Sequence, residues 1–95
     1  MHKYEMTVVF HPTMDEEDIS TEFDLIQEIL TRFGATVEKI DHWGKRKLAY
    51  EIDKITEGTY RFVIFQAPAT APAEIESRMR IREKILRYLI VREEE

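Results

Sequence analysis

No cysteine occurs in the 95 residues, which excludes a disulfide scaffold, a thiol nucleophile and any thiolate metal site. Glycine and proline number three each, too few for a flexible linker, and there is no internal repeat or low-complexity segment. No apolar run approaches the roughly 20 residues that span a bilayer. The opening Met1-His2-Lys3-Tyr4-Glu5 lacks the apolar stretch of a signal peptide, so a cytoplasmic protein with no membrane partner is expected. What is present, 43% hydrophobic and 35% charged residues, is the composition of a folded chain. The length fits one domain, expected over residues 1–92, with Glu93, Glu94 and Glu95 as an acidic tail.

The net charge of -5 argues against a nucleic-acid partner only until its distribution is counted. Residues 1–35 hold two bases and eight acids, whereas residues 36–92 hold twelve bases and eight acids. The acids concentrate in residues 15–28. The bases concentrate in Lys45, Arg46 and Lys47 and in Arg78, Arg80, Arg82, Lys84, Arg87 and Arg92. A chain polarised in this way can offer a basic face to phosphate while its other end repels it; mixed surface charge is the plainer alternative.

Residues 4–10 alternate as a strand, with Met6, Val8 and Phe10 on one side and Glu5, Thr7 and Val9 on the other. Residues 13–16 have the spacing of a capping box. Ile19, Phe23, Ile26, Leu30 and Phe33 then form one helical stripe, stopped by Gly34. Residues 35–41 and 47–52 read as one long strand bent at Gly44. Residues 53–58 form a turn and 60–67 a third strand. A second helix starts near Thr70 and buries Ile75 and Met79, and residues 85–91 form a fourth strand. The order βαββαβ predicts an α+β, ferredoxin-like fold: a four-stranded antiparallel sheet with both helices on one face. The other face is then open. Val, Leu and Phe side chains must lie on it whichever way the strands are turned, and an apolar face of that kind implies a partner.

Catalytic and metal-binding patterns are absent. His2, His11 and His42 have no ligand spacing. Counted from Asp15, no Gly stands sixth and no Glu twelfth, as a calcium loop needs. There is no glycine-rich phosphate loop. Ser20 and Ser77, the only serines, fall in helices without a nucleophile elbow. No cofactor, metal or small-molecule substrate is expected.

The segment Gly58-Thr-Tyr-Arg-Phe62-Val-Ile-Phe65 fits the aromatic signature of the RNA-recognition motif only after one insertion, and the first strand lacks that family's companion segment. A sharper signal is Trp43-Gly-Lys-Arg-Lys-Leu-Ala-Tyr50-Glu-Ile52. It joins a large aromatic, a glycine that permits a bulge and three consecutive bases able to follow a phosphate backbone; lysines guarding an edge strand are the structural alternative. This block resembles the W-G-x-R-x-L-A-Y-x-I signature of the bacterial small-subunit ribosomal protein S-six family. Tyr4-Glu5, Pro12, Gly34-Ala35, Gly58, Arg80-Ile-Arg82 and Arg87 fall in matching order along the whole chain.

The resemblance implies a non-catalytic component of the small ribosomal subunit in the cytoplasm. It implies a heterodimer with the small basic ribosomal protein S-eighteen, bound to the central domain of the small-subunit rRNA beside other small-subunit proteins. The partner would supply much of the positive charge that this acidic chain lacks. On that basis Lys3, Lys45, Arg46, Lys47, Arg80, Arg82 and Arg87 are the expected RNA contacts. Trp43, Tyr50, Phe65, Leu89 and Val91 are the expected partner interface, and the acidic first helix faces away from RNA. Two positions depart from the family pattern: His2 where arginine is common, and Glu51 where proline is common. The competing expectation, from a different class, is a homodimeric ferredoxin-like enzyme or small-molecule-binding protein, a dimeric α/β barrel with His11, His42 and Trp43 near its pocket.

Overall fold

Alternation in the first strand, β1 (His2–Phe10), sends Tyr4, Met6, Val8 and Phe10 into the core. The computed structural model describes residues 1–93; Glu94 and Glu95 of the expected tail lie outside the described residues. After β1 come α1 (Glu16–Arg32), β2 (Thr36–Ile52), β3 (Ile55–Ala67), α2 (Ala71–Met79) and β4 (Ile85–Arg92). The strands form one sheet in the order β2-β3-β1-β4, with every neighbouring pair antiparallel. This is the ferredoxin-like arrangement that the element order predicted.

Both helices bury one stripe against the same face of the sheet. Ile19, Phe23, Ile26 and Leu30 of α1 and Ala71, Ile75 and Met79 of α2 meet Met6, Val8, Phe10, Val63, Phe65 and Ala67. Helix α1 starts two residues later than the capping-box spacing suggested. Asp15 is the cap, its Oδ1 accepting from the Asp18 amide at 2.8 Å, while the Thr13 hydroxyl lies 2.8 Å from His11 Nδ1. A carboxylate outcompetes a hydroxyl here because it also meets the positive end of the helix dipole. At the other end Ala35 N donates to Leu30 O and Gly34 N to Thr31 O, with Gly34 at φ 83°. This is a Schellman stop, and the left-handed residue it requires is supplied by glycine.

Strand β2 carries three register shifts. The shift between Val37 and Lys39 explains how Val37 and Ile40, three apart, both face the core. The shift between His42 and Gly44, with Gly44 at φ 73°, is the bend expected there. The turn after β2 is shorter than the six residues expected. Ile52 pairs with Ile55, so only Asp53 and Lys54 make the loop, both with positive φ. That is the geometry whose twist suits a two-residue hairpin.

Candidate nucleic-acid interface

The strand faces away from the helices carry Glu5, Thr7 and Val9 of β1, Tyr60, Phe62 and Ile64 of β3, and Arg87, Leu89 and Val91 of β4. The pairing fixes this: Thr7 stands opposite Phe62 on one side and Leu89 on the other. Leu89 and Val91 are each 51% exposed. On the β2 side the Trp43 ring packs 4.7 Å from Phe62, which in turn lies 6.3 Å from Tyr60. The Arg46 guanidinium covers Trp43 at 5.6 Å. Phe65, expected on this face, is not there. It is fully buried, stacked on Tyr4 at 5.6 Å beneath the helices. Strand β3 is apolar on both sides, and its pairing with β1 turns Phe62, rather than Phe65, outward.

The end of β2 arches over the open face. Leu48, Tyr50 and Ile52 line a depression of about 260 Å³ together with Thr7, Val9 and Leu89. The Arg87 guanidinium closes its far side, 5.2 Å from the Tyr50 ring. Beneath it, Gly58 lets β3 lie close against β1: a Cβ there would lie 2.5 Å from Val9 Cγ1 and 3.0 Å from the Phe10 carbonyl oxygen.

Four of the expected RNA contacts share one end of the sheet. Lys45, Arg46 and Lys47 pair with Thr59, Gly58 and Glu57 of β3; Thr59 pairs with Phe10 of β1, and Phe10 with Ile85 of β4, two residues before Arg87. Helix α2 runs from the Ala67 end of the sheet to the Ile85 end and so delivers Arg80 to the same end. Among the described residues, none of these five has a carboxylate within 4 Å. Lys3 sits at the opposite end, opposite Gln66, seven strand residues or roughly 24 Å from Phe10. It meets Glu38 at 3.5 Å and Glu93 at 4.0 Å. Gln66 Nε2 donates to Glu38 at 2.7 Å, and this bond, with Lys3 behind it, holds the Glu38 carboxyl below its ordinary range.

Arg82 is set apart in another way. Its Nε and Nη2 donate to the two carboxylate oxygens of Glu22 in α1, the second at 3.0 Å. Glu22 is buried and Arg82 mostly covered. The hydrogen bond to Glu22 pushes the Arg82 guanidinium above its ordinary range. Glu22 is buried, and without the guanidinium its carboxylate would be left unpaired in the core, which holds Arg82 to it.

The acids of α1 lie in the helix layer, on the covered side of the sheet, yet the N-terminus of α1 follows Phe10 and so shares the basic end. Arg61 bridges the two layers there: it is buried, 3.7 Å from Glu16 and 4.9 Å from the Phe23 ring. Lys84, omitted from the expected contacts, is exposed at the same end, where its carbonyl accepts from the His11 amide. Its place just before the fourth strand was the available signal. The partnership of Glu22 with Arg82 left no local signal, because 60 residues separate them. Among the described residues no group of three or more His, Cys, Asp or Glu is placed to hold a metal ion.

Comparison with known proteins agrees with this architecture. The sequence profile of the family described as "Ribosomal protein S6" matches residues 3–92. Small ribosomal subunit protein bS6 of Clostridium acetobutylicum is 46% identical over 91 residues, covering 96% of this chain and 96% of that protein. The bS6 protein of Dictyoglomus turgidum is 43% identical over 90 residues, covering 95% and 93%. The crystal structure of 30S ribosomal protein S6 from Thermotoga maritima superposes with a TM-score of 0.91 at 27% identity, covering 97% of this chain and 87% of that one. Matched from its first strand to its last in sequence and in fold, the chain belongs to the ribosomal protein S6 family, whose members are structural proteins of the ribosome and not enzymes.

Proposed function

We propose that this chain works in the cytoplasmic small ribosomal subunit, where it binds the central domain of the rRNA as a heterodimer with ribosomal protein S-eighteen. The observation that carries this is the adjacency of two uncovered surfaces. An apolar sheet face bearing Leu89, Val91 and Phe62 meets a basic end bearing Lys45, Arg46, Lys47, Arg80 and Arg87. The apolar face suits a protein, and the basic end suits phosphate. At a net charge of -5 the chain alone is a poor RNA ligand, so a basic partner is needed to make the joint surface attractive to RNA. Trp43 and Tyr50 stand where the two surfaces meet and contribute to the partner interface; Phe65 does not.

The test is reconstitution from purified components. The chain, S-eighteen and a central-domain rRNA fragment are titrated singly and together. Strong RNA binding by the pair, at least tenfold tighter than by either protein, is the expected result. Equal RNA affinity for the chain alone, or no complex between the two proteins, would overturn the proposal.

A further inference from the structure

We infer that Arg82 is a positioning residue: clamped to the buried Glu22, it fixes the turn between α2 and β4 and so presents Arg80 and Lys84 to phosphate without touching phosphate itself. This assignment rests on the RNA-binding function proposed above. Residues 80–84 form no regular structure, and Ile81 among them is 73% exposed. The backbone of Arg82 joins the two flanking elements: its amide donates to Met79 O at 3.1 Å, and its carbonyl accepts from the Ile85 amide at 3.3 Å. Its side chain reaches across to α1 and uses two donors on both oxygens of Glu22. Bidentate geometry fixes orientation as well as distance. The turn is thereby tied to both helices and to β4, and the exposed bases on either side of Arg82 inherit that placement.

A guanidinium neutralised by a buried carboxylate releases no counterion from RNA, whereas an exposed arginine on phosphate does. The two roles therefore differ in salt dependence. Affinity for the central-domain fragment is measured against salt concentration, using the reconstituted heterodimer and the variants Arg80→Ala, Arg82→Gln, Glu22→Gln and the Arg82→Gln/Glu22→Gln double change. Arg80→Ala is expected to lower the log–log slope by about one unit. Arg82→Gln and Glu22→Gln are each expected to weaken binding about fivefold or more with the slope unchanged, and the double variant to lose no more than the worse single.

The assignment is overturned if Glu22→Gln leaves affinity unchanged or raises it, or if Arg82→Gln, which removes the charge, lowers the slope as Arg80→Ala does. Amide hydrogen exchange at Arg82 and Ile85, measured without RNA, reads the clamp separately: both amides should exchange faster in each single variant. Unchanged exchange would also refute the clamp. Absence of RNA binding by the unaltered heterodimer would instead refute the proposed function.

Discussion

The Arg87 guanidinium lies 5.2 Å from the centre of the Tyr50 ring, although β3 and β1 stand between the strands that carry them. The contact pins the end of β2 over the open face. A cation–π pair of this kind is worth about 0.5–1 kcal/mol where solvent reaches it. Tyr50→Ala should therefore lower stability by about that much and speed amide exchange at the end of β2, while the register of β1 with β3 stays intact. Arg87→Ala should produce the same local loosening, and the two changes together should cost no more than either alone. Additive effects in a denaturant double-mutant cycle would show that the contact is incidental.

Replacing Lys45, Arg46 and Lys47 together by Ala removes the bases of the bend without touching the core, since all three are exposed. RNA affinity of the heterodimer should fall, and the dependence of log affinity on log salt should flatten by about two to three units. Partner affinity without RNA should change far less, through the loss of Arg46 from the Trp43 ring alone. An unchanged slope in filter-binding titrations at several salt concentrations would remove these residues from the RNA surface.

Leu89→Asp with Val91→Asp places two charges on the apolar face, at positions already half exposed. Folding should survive, because neither side chain belongs to the buried core. Association with S-eighteen should weaken by tenfold or more, as read by calorimetry. Full affinity in the double variant would place the partner elsewhere.

Gly58→Ala tests the close approach of β3 to β1. The added methyl meets Val9 Cγ1 at 2.5 Å and a backbone oxygen at 3.0 Å, and overpacking of that kind costs about 1–3 kcal/mol. A thermal midpoint lowered by several degrees is expected. No change would mean that Val9 turns aside freely.

Glu38 supplies a pH dependence. Its carboxyl is held below its ordinary value of 4.5 by the Gln66 hydrogen bond and by Lys3. A lowered folded-state value means that the unfolded chain binds the proton first as pH falls, so the stabilisation is complete above the unfolded value and disappears as pH drops through the folded one. Glu38→Gln should reduce stability slightly near neutrality and flatten the loss of stability below about pH 4.5. Urea midpoints from pH 7 to pH 3 check this, and parallel curves for the two proteins would contradict it.

The order of elements, the parity of β1 and the bend at Gly44 were legible because each rests on local chemistry: alternation, a helical stripe, a glycine with no side chain to obstruct a bulge. Phe65 was misplaced because β3 is apolar on both faces, so its alternation carries no information about which side is buried. The Asp53–Lys54 hairpin was hidden because neither residue is the glycine that usually marks such a turn. The division among the bases was illegible for a deeper reason. Lys3, Arg80 and Arg82 look alike along the chain, and only packing reveals that Lys3 meets Glu38 and Glu93, that Arg82 belongs to Glu22, and that Arg80 is unpaired among the described residues.

The heterodimer on RNA is tested most directly by affinity capture of the tagged chain from its native lysate, with and without ribonuclease, read by mass spectrometry and RNA sequencing. Central-domain small-subunit rRNA is expected in the untreated sample and ribosomal protein S-eighteen in both, its retention surviving digestion of the RNA. Recovery of the chain alone, or as a dimer of itself without RNA, would contradict it.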